Sequence, residues 1–259
     1  MKAASSPRPL RVATYNIHKG VSAWGWRNRV HEVRIALATL EADLLFLQEV
    51  QEINTRNQVR FADWPAEAQT RFLASEDYHH VYGGNAYYQH GHHGNAILSL
   101  HPFVHSRNYD ISDHRFEQRG MLHAVIEIED RATHVVNVHF GLFAVSRRRQ
   151  TEALVELVAR EVPLQEPLII AGDFNDWNNR LSQRLIQTLG VTEAAMNGLS
   201  RSYLLPVAPA GTFPSLLPWL PLDRIYVRGL QIKTAQVKRG LRWARISDHV
   251  PLVADLTWK

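Results

Sequence analysis

Polar residues able to bind a metal or a phosphate stand at one end of each of several short apolar runs. Val12-Ala-Thr-Tyr-Asn-Ile17 carries Asn16, Leu44-Leu-Phe-Leu-Gln-Glu49 ends in Glu49, and Val135-Val-Asn-Val-His139 ends in His139. Leu168-Ile-Ile-Ala-Gly-Asp173 runs on into Phe174, Asn175 and Asp176, while Asp223 and the dipeptide Asp248-His249 each precede such a run. A hard cation such as Mg²⁺ takes oxygen ligands and is commonly held by only one or two carboxylates, water and substrate phosphate. Glu49 and Asp248 suit that need. An ion of this kind beside a phosphoester screens the charge that repels an incoming hydroxide and stabilises the oxyanion that develops. Asp173 then suits the orienting or deprotonation of the attacking water. A protonated His249 can donate to a phosphate oxygen, and a carboxylate on its other ring nitrogen would fix the tautomer and raise its pKa. Asp223 is the candidate for that carboxylate, and His139 for a second donor on the leaving-group side.

Strands must carry these residues, since each run is short, apolar and rich in β-branched or aromatic side chains. Between them, Val30, Val33, Leu37 and Leu40 recur at helical spacing, as do Leu154, Leu157, Val158 and Val162 behind Ser146 as a candidate N-cap. Strand, helix, strand therefore occurs twice. From Asn16 to Glu49 is 33 residues and from His139 to Asp173 is 34, the size of a βαβ unit and a hint of internal duplication. Arg119 and Gly120 precede the run Met121–Ile128, which turns back through residues 129–132 into the His139 strand as a hairpin. Arg119 should then lie near His139. If the strands behind Asp223 and Asp248-His249 run antiparallel to the first set, all the polar ends collect on one rim, where open α/β sheets bind ligands.

The chain has 259 residues with 45% hydrophobic and 21% charged, which fits one large globular domain over residues 10–259 behind a flexible tail, 1–9. Cysteine is absent, which excludes disulfide scaffolds, thiolate catalysis and every cysteine-built zinc site. A net charge of +4 weakly favours anionic partners and falls short of a dedicated DNA binder. The start of the chain has no apolar core of a signal peptide, and no apolar run is long enough to span a membrane, so a cytoplasmic monomer is expected. His90, His92 and His93 resemble a zinc cluster in composition only, because no further ligands follow at usual spacing. Arg147-Arg148-Arg149 would sit in the first turn of the second helix, where the macrodipole disfavours cations; a contact to substrate phosphate would offset that, and a solvated basic face is the plainer reading. Pro206 to Pro221 holds five of the 12 prolines together with Phe213, Leu216, Leu217, Trp219 and Leu220. It reads as a stiff apolar loop able to shape a substrate mouth or touch lipid.

Seven segments in order, Thr14–Ile17, Leu47–Val50, Gly94–Ser99, Asn137–His139, Gly172–Asn175, Leu222–Tyr226 and Ser247–His249, resemble the motifs of the endonuclease/exonuclease/phosphatase superfamily. The resemblance spans about residues 10–258. It implies an α/β fold, a four-layer α/β/β/α sandwich of two mixed sheets flanked by helices, and Mg²⁺- or Mn²⁺-dependent hydrolysis of phosphoesters. By matching position, Glu49 would be the principal metal ligand with Asn16 and Asp248 nearby. Asp173 and Asn175 would position nucleophile and phosphate, and the Asp223–His249 pair would stabilise the transition state. Asn95 and, beside the His139 strand end, Arg119 are the candidates for contact with the substrate phosphate. A phosphodiesterase or nuclease is the favoured reading. A lipid or inositol phosphate phosphatase is the alternative, and a non-catalytic domain binding nucleic acid or a partner is the reading of another class. The first motif reads Asn16-Ile-His-Lys19, unlike the pattern in members that cut abasic DNA. With His92–Asn95 and Gly172–Trp177, the pattern is more similar to a small bacterial branch of the family.

Overall fold

The computed structural model describes residues 8–22, 25–194 and 210–259. Two six-stranded sheets pack face to face. One has the order β11-β12-β1-β2-β4-β3 and the other β5-β6-β7-β8-β10-β9. Their central pairs are the parallel strands expected from sequence, β1 (Leu10–Asn16) with β2 (Leu44–Asn54) and β7 (Arg131–His139) with β8 (Leu168–Asp173). Every other pairing in both sheets is antiparallel. Helix α1 (Val30–Ala38) crosses over in the first parallel unit and α4 (Ala144–Glu161) in the second. The flanking strands are β12 (Leu252–Trp258) and β4 (Gly91–Ser99) in one sheet, β6 (Gly120–Ile128) and β10 (Asp223–Arg228) in the other. The outer strands β11 (Leu230–Val237), β3 (His79–Tyr88), β5 (Phe103–Asp110) and β9 (Thr192–Glu193) complete the sheets.

Strand alternation explains the layers, because successive side chains point to opposite faces. Val12, Leu44, Phe46, Val135, Ile169 and Ile225 point inward and meet between the sheets. Ala13, Tyr15, Leu45 and Leu47 point outward onto α1, and Val136, Val138 and Ile170 point outward onto α4 and α5 (Arg180–Leu189). The result is helix, sheet, sheet, helix. The inner layer is apolar at one end and polar at the other. Along β1, β2 and β7 the inward series run Val12, Thr14, Asn16; Leu44, Phe46, Gln48; and Val135, Asn137, His139.

Two local expectations change. Helix α4 begins at Ala144 after Phe143, so Ser146 is no N-cap. Its hydroxyl donates instead to Asp113 at 2.8 Å. The first-turn arginines are offset within the protein: Arg147 is buried and donates to the Leu142 carbonyl at 2.5 Å, and Arg149 pairs with Asp113, leaving only Arg148 free of such partners. Of the tail, residues 1–7 lie outside the described residues, while Arg8 pairs with Asp43 at 2.9 Å. In the proline-rich stretch, residues 206–209 also lie outside them.

Candidate active site

The strand ends meet on one rim. Antiparallel pairing sets the Cα of Asp223 opposite that of Asp173. Asp223 accepts from Nδ1 of His249 at 2.8 Å, and Nε2 of the same ring lies 3.7 Å from Oδ2 of Asp173. Nε2 of His139 lies 3.7 Å from that same oxygen. Asn16, at the end of β1, donates to Asp173 across the sheets at 3.2 Å, and the backbone N–H of Asn175 donates to the other oxygen at 2.9 Å. Asn175 itself donates to the Phe140 carbonyl at 2.9 Å, where Nε of Arg119 also donates, at 3.1 Å. The hairpin of β6 and β7 thus brings Arg119 beside the His139 strand end. Ser247 ties the last motif to the first by donating to the Asn16 carbonyl at 2.7 Å, and its hydroxyl also lies 3.3 Å from Asp248.

Two backbone features aim the acids. Register between β2 and β4 slips after Leu47, so Gln48 and Glu49 together oppose Asn95, and Glu49 has a φ of 56°. Strict alternation would turn Glu49 outward with Leu45 and Leu47; the bulge sends it to the site, as bulges beside functional sites commonly do. Before Asp173, Gly172 has φ 147°, and a Cβ there would stand 2.0 Å from the Val138 carbonyl oxygen. Only glycine lets β8 approach β7 so closely at the catalytic end.

Burial and neighbouring charge divide the titratable groups. Burial pushes the Asp173 carboxyl up to about 6, against the pull of the His249 charge, and the Asp223 carboxylate pushes the same way. Burial alone would lower His249, but the carboxylates of Asp223, Asp173 and Asp248 overcome it and hold the imidazole up at about 10. His139 lies well below its ordinary value because it is buried and faces the Arg119 charge, so it is neutral. Burial would raise Glu49, yet Lys19, His139 and His18 together outweigh this and hold the carboxyl well below the usual range.

Lys19 Nζ stands 3.0 Å from Oε2 of Glu49, but off its hydrogen-bonding direction, so that buried oxygen accepts no hydrogen bond. An unsatisfied buried carboxylate oxygen suits a hard cation. Asp173, Asp223 and His249 also have ligand atoms within 4.8 Å of one another, close enough to hold an ion. A cation there would have to displace the proton that His249 shares with Asp223, whereas at Glu49 it would compete only with the ion-paired Lys19 ammonium.

Several residues of the site escaped the sequence reading. Gln48 and Asn137, fully buried, join the two sheets at 2.7 Å beneath the rim, and Asn137 also donates to the carbonyls of Leu47 and Ala96. Their signal was a polar residue at an inward position of an otherwise apolar strand. Lys19 and His93 surround Glu49; burial and the Lys19 charge lower His93 to about 4. Asn95 is buried, and its amide donates to the Gly120 carbonyl at 2.9 Å, so its nitrogen links β4 to β6. His92 shares a hydrogen bond with Tyr82 at 3.0 Å. Arg224, next to Asp223 in sequence, is buried and turned to the other face, where it pairs with Glu193 at 2.6 Å. In the proline-rich loop, the Phe213 ring lies 5.1 Å from that of His249.

The Endonuclease/Exonuclease/phosphatase family pattern matches residues 13–249, and the chain belongs to that family, whose members are hydrolases acting on phosphoesters. Among relatives, the "Uncharacterized protein YbhP" of Escherichia coli (strain K12) is 38% identical over 252 residues, covering 95% of this chain and 96% of its own. An endonuclease/exonuclease/phosphatase from Beutenbergia cavernae DSM 12333 superposes with a TM-score of 0.75 at 19% identity, over 97% of this chain and 72% of that one. The human Nocturnin catalytic domain with bound sulfate anion gives 0.73 at 20% identity, over 97% and 94%. At these identities the two structures establish a shared fold.

Proposed function

We propose that this protein is a divalent-metal-dependent phosphodiesterase. The observation that carries the reading is the buried array Asp223–His249–Asp173, set beside a Glu49 oxygen that no hydrogen bond satisfies. Glu49, Asn16 and Asp248 would hold Mg²⁺ or Mn²⁺, which when bound supplies charge neutralisation on the substrate phosphate. Asp173, ionised at neutral pH and oriented by Asn16 and Asn175, takes the proton of the attacking water. His249, kept cationic by Asp223, donates Nε2–H to a phosphate oxygen as charge builds there. Neutral His139 contributes a donor to the same phosphate, and Arg119 adds positive charge beside it.

The test is hydrolysis of chromogenic phosphate diesters and monoesters, with and without Mg²⁺ or Mn²⁺, alongside Asp173→Ala and His249→Ala. Turnover should favour the diester, require metal, and fall by roughly 10²–10⁴ in each variant. EDTA-resistant turnover, or full activity in both variants, would overturn the mechanism.

A further inference from the structure

Three chain segments, each leaving from or fastened to a candidate catalytic residue, carry exposed large apolar side chains. Beyond His139, the chain entering α4 exposes Leu142, Phe143 and Val145, Phe143 at 62%. Beyond Asp173 and Asn175, Trp177 is exposed, with the Arg147 guanidinium 4.8 Å over its ring. On the other side of the acids, Leu216, Leu217 and Trp219 are 77%, 76% and 67% exposed. That loop is fastened to the site, because the Ser215 N–H donates to the Asp248 carbonyl at 2.7 Å and Phe213 faces His249. The first two segments are joined through Arg147, which donates to the Leu142 carbonyl. The His114 ring then extends the first segment, from Phe143 at 5.5 Å to exposed Phe116 at 6.4 Å.

Clusters of exposed large apolar side chains mark contact sites, and the charges near these side chains say what kind. Arg115, Arg148 and Arg180 are exposed among them. The neighbouring acids are already engaged: Asp113 by Arg149 and Ser146, Glu117 by Arg119 and the Leu142 N–H, and Asp176 by the Leu181 N–H. Residues 210–222 carry no charge at all. The rings of Phe143, Trp177 and Trp219 can stack on bases, but the aliphatic tips of Leu142, Val145, Leu216 and Leu217 neither stack nor pair, and the loop that carries Trp219 offers no charge to a phosphate backbone, which favours lipid over nucleic acid. Apolar tips on separate loops, interspersed with guanidinium groups, match a bilayer surface, where the tips enter the acyl boundary and the arginines meet lipid phosphates. No helix among the described residues is long and apolar enough to cross a membrane, so contact through this rim is peripheral.

We propose that the rim formed by residues 142–145, Trp177 and 214–219 docks on an anionic lipid bilayer, turning the mouth of the site toward the headgroup layer. The docking surface stands on exposure and charge and holds whether or not the site hydrolyses a diester.

Flotation of the full chain with phosphatidylcholine vesicles, with and without phosphatidylglycerol, tests it. The wild type should float with the anionic vesicles at low salt, and less at high salt or with phosphatidylcholine alone. The double variant Leu216→Ser/Trp219→Ser should lower partitioning roughly tenfold or more, Phe143→Ser about fivefold, and Arg148→Glu about fivefold. All should keep the wild-type melting curve and unchanged hydrolysis of a water-soluble chromogenic diester. Failure of the wild type to float at low salt, or flotation of the folded variants equal to wild type, overturns the proposal. So does a concentration-dependent dimer, abolished by the same substitutions, in a protein that does not float, because a second copy would then be the occupant. A wild type that hydrolyses the diester with metal but does not float sinks the docking surface alone; a wild type that floats without hydrolysis sinks the phosphodiesterase reading alone.

Discussion

The two halves of the sandwich are built to one plan and bear different chemistry. In each sheet a parallel βαβ pair sits at the centre, flanked on both sides by antiparallel strands in the same order of pairing. The first half offers Asn16 at the end of β1 and Glu49 at the bulge within β2, an amide and an acid whose buried oxygen meets only the Lys19 ammonium among the described residues. The second ends in His139 and Asp173, set on a tight glycine approach and surrounded by hydrogen bonds. Repetition of a scaffold therefore does not repeat its site. One half is suited to holding a cation and the other to handling a proton, and the strands that enter last, β10 and β12, bring Asp223 and His249 together across the join.

If that division holds, substitutions in the two halves should fail in different ways. Asp173→Asn should lower kcat for a diester by roughly 10²–10⁴ while the metal concentration for half-maximal rate stays near that of wild type. A matching rise in metal requirement would erase the distinction. Glu49→Gln should show the reverse emphasis, raising the half-saturating Mg²⁺ or Mn²⁺ concentration by at least the ~10–100-fold that loss of an outer-shell partner costs. Calorimetric titration of metal into the protein without substrate checks this apart from activity.

The amide floor couples the halves mechanically. Gln48→Leu or Asn137→Leu strands a buried partner and should cost about 1–3 kcal/mol in denaturant unfolding. The double variant should cost less than the sum, because neither amide is then left unpaired. Equal additivity would mean the 2.7 Å contact contributes no coupling.

The smallest effect expected is on pH dependence. Asp173 must be ionised to act as a base, so the rate should fall as pH drops through about 6. His249 must be protonated to donate, so the rate should fall as pH rises through about 10. Asp223→Asn removes a carboxylate that favours the imidazolium, so the alkaline limb should move to lower pH. A limb that stays put would show that His249 does not set it.

Much of this was legible before any coordinates. Period-two alternation in Val12–Asn16 and Val135–His139 marked central strands, and the i, i+3, i+7 spacing in α1 and α4 marked the crossovers. Edge strands such as β5, with mostly exposed and polar residues, carried no such signal. Charged side chains were hardest to place. Arg147 and Arg224 are buried by partners far along the chain, and Lys19 meets Glu49 only through backbone turned to positive φ.

Sequence alone determined which polar residues the central strands carry and which chemistry their types allow, because local periodicity and side-chain chemistry are properties of short segments; it ended the second strand at Glu49, whereas β2 runs on to Asn54 past the bulge. Tertiary structure decided the rest. Whether Glu49 faces the site depends on a bulge against β4, and His249 gains its charge from Asp223 and Asp173, residues distant in sequence that only sheet packing brings within reach. A carboxylate's orientation and an imidazole's proton are set by three-dimensional neighbours and burial, and neither can be written into a motif.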